Sequence, residues 1–258
     1  MRRAAWAPWL LGGAGVLTQM VFPFTDGGTV TLTVLSVLLL AAASLAHAAA
    51  TRGWRTAVAV LVVAGGGGLL AETVGVHTGV PFGDYAYTGT LGPQLLGVPV
   101  IVPLAWAMLA YPALLVARAL VRTRWLVVPV AAWALATYDV FLDPQMVDAG
   151  HWRWADPTPA LPGVSGIPLT NFAGWLVVAL LLAVLLDRVV PAAPGQDLLP
   201  LVLYAWTYAS SVLADAAFFG RPPVALVGGV LMGTVGIPLL VLLGRRVPLP
   251  RHAVRRAS

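Results

Sequence analysis

The chain has 258 residues, 59% of them hydrophobic and only 10% charged, with a formal net charge of +5. A soluble domain carries about 25% charged residues, so this composition excludes an ordinary soluble protein. There is no cysteine and no lysine, which excludes disulfides, thiolate-bound metals and Schiff-base chemistry.

Taken in order, the apolar blocks are long enough to cross a hydrocarbon core of roughly 30 Å. They predict eight spans: 8–24, 29–50, 56–76, 98–117, 125–142, 169–187, 198–218 and 223–243. The expected architecture is an all-α, polytopic membrane bundle in the cell membrane, a single transmembrane domain over 1–258. Arg2 and Arg3 precede the first block as they would in a signal peptide, but no cleavage site and soluble domain follow, so a first membrane helix is expected.

The arginines orient the bundle. With a cytoplasmic N-terminus, all arginines except Arg153 and Arg221 fall on the cytoplasmic side, including Arg2, Arg3, Arg251, Arg255 and Arg256, and both ends are cytoplasmic. The positive charge therefore reads as a topology signal, and no nucleic-acid partner is expected. In this frame Glu72, Asp139, Asp143 and Asp215 gather at one depth in the outer half of the bilayer, and Asn171 opens span 6 from that side.

In span 3, the run Gly65 to Gly68 either admits a neighbouring helix or bends its own just before Glu72. In span 8, Gly229 and Gly233 form a small-residue packing groove. Two outer loops, 77–97 and 143–168, are too rich in apolar, glycine and proline residues to be solvated, and are expected to fold back as a cap.

The stretch 136–154 is the centre of the reading. Asp139 and Asp143 are one helical turn apart and share a face. Pro144 is expected to stop the helix. Asp148, His151, Trp152 and Trp154 follow in the loop.

An intramembrane acid is a functional candidate by default. The plainer reading is a structural hydrogen bond or ion pair, and Arg221 is near enough in sequence to be such a partner for Asp215. Glu72, Asp139, Asp143 and Asp215 are the catalytic candidates. Asp84, Tyr85, Trp133, Tyr138, Trp152, Trp154, Asn171 and Trp175 are the substrate-binding candidates, although Asp84 is equally explained by a Gly-Asp-Tyr turn and most of the aromatics by an interfacial belt. His77 and His151 lie on the side that could shuttle protons. His47 reads as a packing histidine far from these acids. No HxxxH or HxxE spacing exists, so neither a metal nor another cofactor is expected.

A carboxyl in an apolar pocket can keep its proton at neutral pH and protonate an alkene. The resulting tertiary carbocation needs aromatic walls and an anionic neighbour. Water then captures it, or a base removes a proton.

Two runs carry a family resemblance. The first is Thr78 to Tyr85 with Tyr87, then Gly97-Val98-Pro99 and Trp106. The second is Asp139 to Pro144 with Trp152 and Trp154, followed by Gly166-Ile167-Pro168, Asn171-Phe172 and Gly174-Trp175. Together they resemble the CruF-type carotenoid 1,2-hydratase family over roughly residues 68 to 180. That resemblance implies a membrane enzyme that adds water to the terminal double bond of an acyclic, lipid-soluble polyene. Val164-Ser165 stands where such proteins carry an aromatic pair, a departure expected to reshape the loop's contact with substrate.

Two rival functions stay open at this stage. One is a terpenoid cyclase or lyase on the same carbocation site, since Asp139 and Asp143 also resemble the Mg²⁺–diphosphate pairs of membrane prenyltransferases. The other is a non-enzymatic, proton-coupled transporter. Oligomeric state is not readable from the sequence.

Overall fold

The structure is a computed structural model that describes residues 6–25, 29–193 and 195–246. Arg2, Arg3, Arg251, Arg255 and Arg256, which entered the topology count, lie outside the described residues.

Among the described residues, ten α-helices and six short strands follow one another. The helices are α1 (Ala7–Val21), α2 (Val30–Arg52), α3 (Trp54–Val60), α4 (Gly67–Thr78), α5 (Ile101–Leu120), α6 (Arg124–Ala136), α7 (Asp139–Asp148), α8 (Leu169–Val189), α9 (Leu198–Ala217) and α10 (Pro222–Arg246). Among the described residues, seven helical segments are long and apolar enough to cross a membrane, counting 54–78 and 124–148 as single rods. The first of the eight expected spans is shorter. Helix α1 has 15 residues and is continued by a 3-10 turn, Phe22–Phe24. At 1.5 Å per residue α1 alone rises about 22 Å, less than the roughly 30 Å core.

Helix α5 is the axis of the bundle. Every residue from Trp106 to Ala117 is buried, because α2, α6, α8 and α9 pack around it. Between α3 and α4 the chain makes a π-helical stretch, Leu61–Gly66. The glycine run, whose first two members lie in this stretch, admits neighbouring helices, one of the two roles expected of it: a Cβ at Gly67 would sit 2.6 Å from Leu182 of α8, and one at Gly68 would sit 2.4 Å from the Trp106 ring of α5.

Pro144 does not stop a helix, contrary to expectation. The break comes earlier, at Thr137–Tyr138, and α7 runs through Pro144 to Asp148. The cause is a tertiary hydrogen bond. In a continuous helix the Ala134 carbonyl would accept from the Tyr138 N–H. Here it accepts from the Tyr204 hydroxyl of α9 at 2.8 Å, and a new ladder starts as Phe141 and Leu142 donate to the Tyr138 carbonyl. The second cap loop therefore begins after α7 rather than at residue 143.

The two loops fold back together. Strands β1 (Tyr85–Tyr87) and β4 (Trp152–Trp154) pair antiparallel across them, Tyr85 opposite Trp154 and Tyr87 opposite Trp152. Within the loops β2 (Gln94–Leu95) pairs with β3 (Val98–Pro99), and β5 (Ala160–Leu161) with β6 (Val164–Pro168). These ladders satisfy backbone groups that an apolar environment would leave unpaired.

At the opposite end of the bundle His47 is held in a polar network. It meets the Tyr111 hydroxyl and the Gln196 carbonyl, each at 2.9 Å. Arg52 donates to Tyr111, to the Pro191 carbonyl and to Asp197.

Candidate active site

Glu72 lies on α4, one turn before Gly75, and its side chain is buried. Three donors converge on it. The Tyr85 hydroxyl donates a very short hydrogen bond, the Tyr87 hydroxyl donates at 2.9 Å and the Trp106 indole N–H donates at 3.1 Å. Strand alternation explains the tyrosines: residues two apart on β1 point to the same face. Burial first, and then the nearby Glu72 charge, push both phenols upward from their ordinary value, so they remain protonated donors. Gly75 makes room for Tyr85 and for Phe82, since a Cβ there would lie 3.1 Å from the Tyr85 hydroxyl and 2.7 Å from the Phe82 ring.

The same face of the ribbon carries Trp152 and Trp154. Tyr85 stacks on Trp154 with centroids 5.7 Å apart, and Tyr87 meets Trp152 edge-on at 5.6 Å. Arg153 and Ala86, on the other face, are exposed. The Trp152 indole donates to Asp143 Oδ1 at 3.0 Å, and the Trp154 indole to the Phe82 carbonyl at 2.9 Å.

A second carboxyl group stands behind Asp143. Asn171, at the start of α8, donates from Nδ2 to Oδ2 of both Asp139 and Asp143, at 2.7 Å in the first case and at very short range in the second. The turn spacing of the two acids on α7 makes this bridge possible. Asp139 is fully buried, and its Oδ1 accepts no hydrogen bond. The bridge also bears on the Mg²⁺–diphosphate reading. A donor amide occupies the face on which a cation would have to sit.

These groups border a cavity of about 450 Å³. Glu72, Asp143, Asn171, Tyr85, Tyr87, Trp106, Trp152, Trp154 and Trp175 line it, as do Tyr138 and Asp215. Phe22, Phe24, Phe218 and Phe219 line it where α1 and α9 end. The rest of the wall is mostly apolar, as a lipid-soluble ligand requires.

The structure thus gathers most of the residues expected from the sequence around one hollow, with exceptions. Asp139 backs Asp143 and is not part of the wall. Trp133 turns away, its indole donating to Thr234 of α10 at 2.9 Å, and does not line the cavity. Asp84 is also outside the wall, where its carbonyl accepts from Ala155 in the cap. Asp215 lines the cavity but joins Arg221 rather than the Glu72 cluster. His77 is exposed and bonded to the Thr73 carbonyl of its own helix. His151 is buried against Thr90, its Nδ1 2.7 Å from the hydroxyl. Val164 and Ser165 lie on β6 away from the wall, so that departure does not touch the cavity.

Tyr87 and Trp106 were missed as site residues, although both occur in the family-like motifs. Two signals could have found them. Tyr87 shares the alternation of Tyr85, and an indole N–H inside a span needs a buried acceptor.

A family described as carotenoid biosynthesis protein matches residues 28–243. The chain belongs to that family. Among its relatives, the bisanhydrobacterioruberin hydratase of Haloarcula japonica is 36% identical over 121 residues, which is 45% of this chain and 40% of that protein. The match therefore spans less than half of the relative's length. No solved structure matches the chain. Membership of the carotenoid biosynthesis family fits a polytopic membrane protein whose cavity suits a lipid-soluble polyene.

Proposed function

We propose that this carotenoid biosynthesis protein is a membrane hydratase that adds water to a terminal C=C bond of an acyclic polyene. One observation carries the reading. A carboxyl group held by three donors, Glu72, faces the same apolar cavity as a carboxyl pair sharing one amide, Asp143 with Asp139. These are two different environments for two acids, the division of labour that acid–base chemistry needs.

Glu72 serves as the carboxylate, because O–H and N–H donors favour the anion. Asp143 and Asp139 share a proton, because two adjacent buried carboxylates cannot both ionise at small cost. Asp143 is the member of the pair that reaches the cavity. Its O–H adds a proton to the terminal alkene, forming a C–H bond and leaving a tertiary carbocation. The rings of Tyr85, Trp106, Trp152, Trp154 and Trp175 face that cation, each worth about 0.5–2 kcal/mol. Glu72 orients a water molecule, whose oxygen forms the new C–O bond while its proton passes to the carboxylate. Bulk water returns a proton to Asp143 and takes one from Glu72, so the balance is alkene plus water giving a tertiary alcohol. Asp139 is a positioning residue that acts through Asp143.

The test is pigment analysis of a polyene-producing host expressing the chain. A mass gain of one water is expected. Isomeric products of unchanged mass, or a dependence on prenyl diphosphate that EDTA abolishes, would instead indicate a cyclase or lyase. Proton uptake in liposomes without any product would indicate transport.

A further inference from the structure

The cavity is sealed at one end and open at the other. Around the acids its wall is closed: Glu72, Asp143, Asn171, Trp106, Trp154 and Trp175 are all buried. Among the described residues, the lining residues that are also exposed on the molecular surface are Met20, Phe24, Ala209, Leu213 and Phe218. Every one of them belongs to α1 with its 3-10 turn or to α9 with its C-cap.

These two elements part as they run outward. Towards the start of α9 they touch closely, since a Cβ at Gly12 of α1 would lie 3.2 Å from Leu199 and 3.3 Å from Leu203. Further out, long side chains span the gap. Gln19 Oε1 accepts from the Trp206 indole at 2.7 Å. Two edge-on phenylalanine pairs follow, Phe22 with Phe219 at 6.0 Å and Phe24 with Phe218 at 5.8 Å. Between these bridges α9 presents Ala209, Ser210 and Ala214 to the cavity, side chains too short to fill the space.

Depth decides what this opening meets. Ala209 lies eight residues before Ala217, the last of α9, which is about 12 Å along the helix axis. A gap at that level opens on hydrocarbon rather than on water. Its exposed rim is apolar, so a hydrocarbon chain lying through it breaks no hydrogen bond. Only one terminus of a polyene has to reach the acids, and the remainder needs an apolar path out.

We propose that the fissure between α1 and α9 is the lateral portal of the cavity and the binding site for the unreacted part of a long, linear polyene. The reacting terminus lies between Glu72 and Asp143, and the rest of the chain passes out between the two helices into the bilayer. Gln19 with Trp206 forms the inner edge of the portal, and the phenylalanine pairs form its outer edge. The proposal rests on the hydratase reading for which part of the chain reacts.

The test uses the full chain in lipid nanodiscs. It has no cysteine, so a single one introduced at the mouth is labelled alone. Ala209→Cys is compared with itself before and after reaction with a bulky maleimide, so that folding precedes the block. Leu181→Cys on α8, exposed and outside the cavity wall, is the control. The probe is an acyclic isoprenoid polyene hydrocarbon, and its binding is read from the shift in its absorption, independently of turnover. Labelling at 209 is expected to slow association about tenfold or more, because the route into the site is obstructed. Labelling at 181 is expected to leave association unchanged. An association rate that survives labelling at 209 overturns the proposal, as does equal slowing at both positions. If labelling at 209 blocks association but the polyene gains no water even in the unlabelled protein, the portal stands and the hydratase reading falls. If hydrated product forms at full rate in the protein labelled at 209, the portal falls and the hydratase reading stands.

Discussion

Trp106 lies flat on Trp175, their ring centroids 4.0 Å apart and their planes 13° from parallel, while its indole N–H is donated to Glu72. The stack joins α5 to α8 and fixes the donor edge of Trp106 over the acid of α4. Gly68 is what makes the arrangement possible, since a Cβ there would lie 2.4–2.9 Å from Trp106. Gly68→Ala is expected to displace Trp106, costing about 1–3 kcal/mol by overpacking and lowering product formation at least tenfold. Thermal unfolding in detergent and product yield per folded protein check the two parts separately.

Removing the anionic acceptor is expected to be more severe. Glu72→Gln keeps the shape but not the charge to which the proposed mechanism gives the orientation of water and the facing of the cation. A fall of about 10²–10³-fold in kcat is expected, measured as hydrated polyene per minute. Tyr87→Phe removes one of three donors and is expected to cost about tenfold. Equal activity of Glu72→Gln and wild type would remove Glu72 from the reaction.

Asn171 is expected to be essential to the acid pair. Asn171→Leu leaves Asp139 and Asp143 side by side without their shared donor. A loss of about 10²-fold is expected, together with a displaced pH–rate profile. A merely structural role would lower the yield of folded protein and leave the profile of the remaining enzyme unchanged.

The network at the other end of the bundle should affect stability and not chemistry. The Arg52 side chain is 1% exposed and lies 2.6 Å from Asp197. Arg52→Met strands Asp197, which is itself partly exposed, and a cost of about 3 kcal/mol is expected. A lowered Tm with unchanged product per folded protein is the expected result.

The cap should loosen in acid. Burial pushes the His151 imidazole below its ordinary value of 6.5. The unfolded chain therefore binds a proton more readily than the folded one. The stability that neutral His151 contributes is complete above about 6.5 and is lost as pH falls toward its folded value. His151→Gln is expected to flatten that limb of a Tm-versus-pH curve. An identical curve would show that another group governs it.

Composition and hydropathy were enough to identify a polytopic helical membrane protein, because the length of an apolar run is set by bilayer thickness and needs no partner. Spacing alone put Asp139 and Asp143 on one face, because helical periodicity is local. Even the folding back of the apolar cap loops followed from the cost of unpaired backbone in a bilayer. The tertiary structure decided what depends on contacts between distant segments. The Tyr204 hydroxyl, and not Pro144, sets the break before Asp139, because a side chain 70 residues away takes the carbonyl. Pairing of β1 with β4 aims Tyr85, Tyr87, Trp152 and Trp154 at one hollow, which no periodicity within either loop could foretell. Trp133 was near the acids in sequence and is outside the cavity, because the rotation of α6 is fixed by its neighbours. Glu72 could be found as a buried acid from the chain alone, but its three donors come from two other segments, and only folding brings them to it.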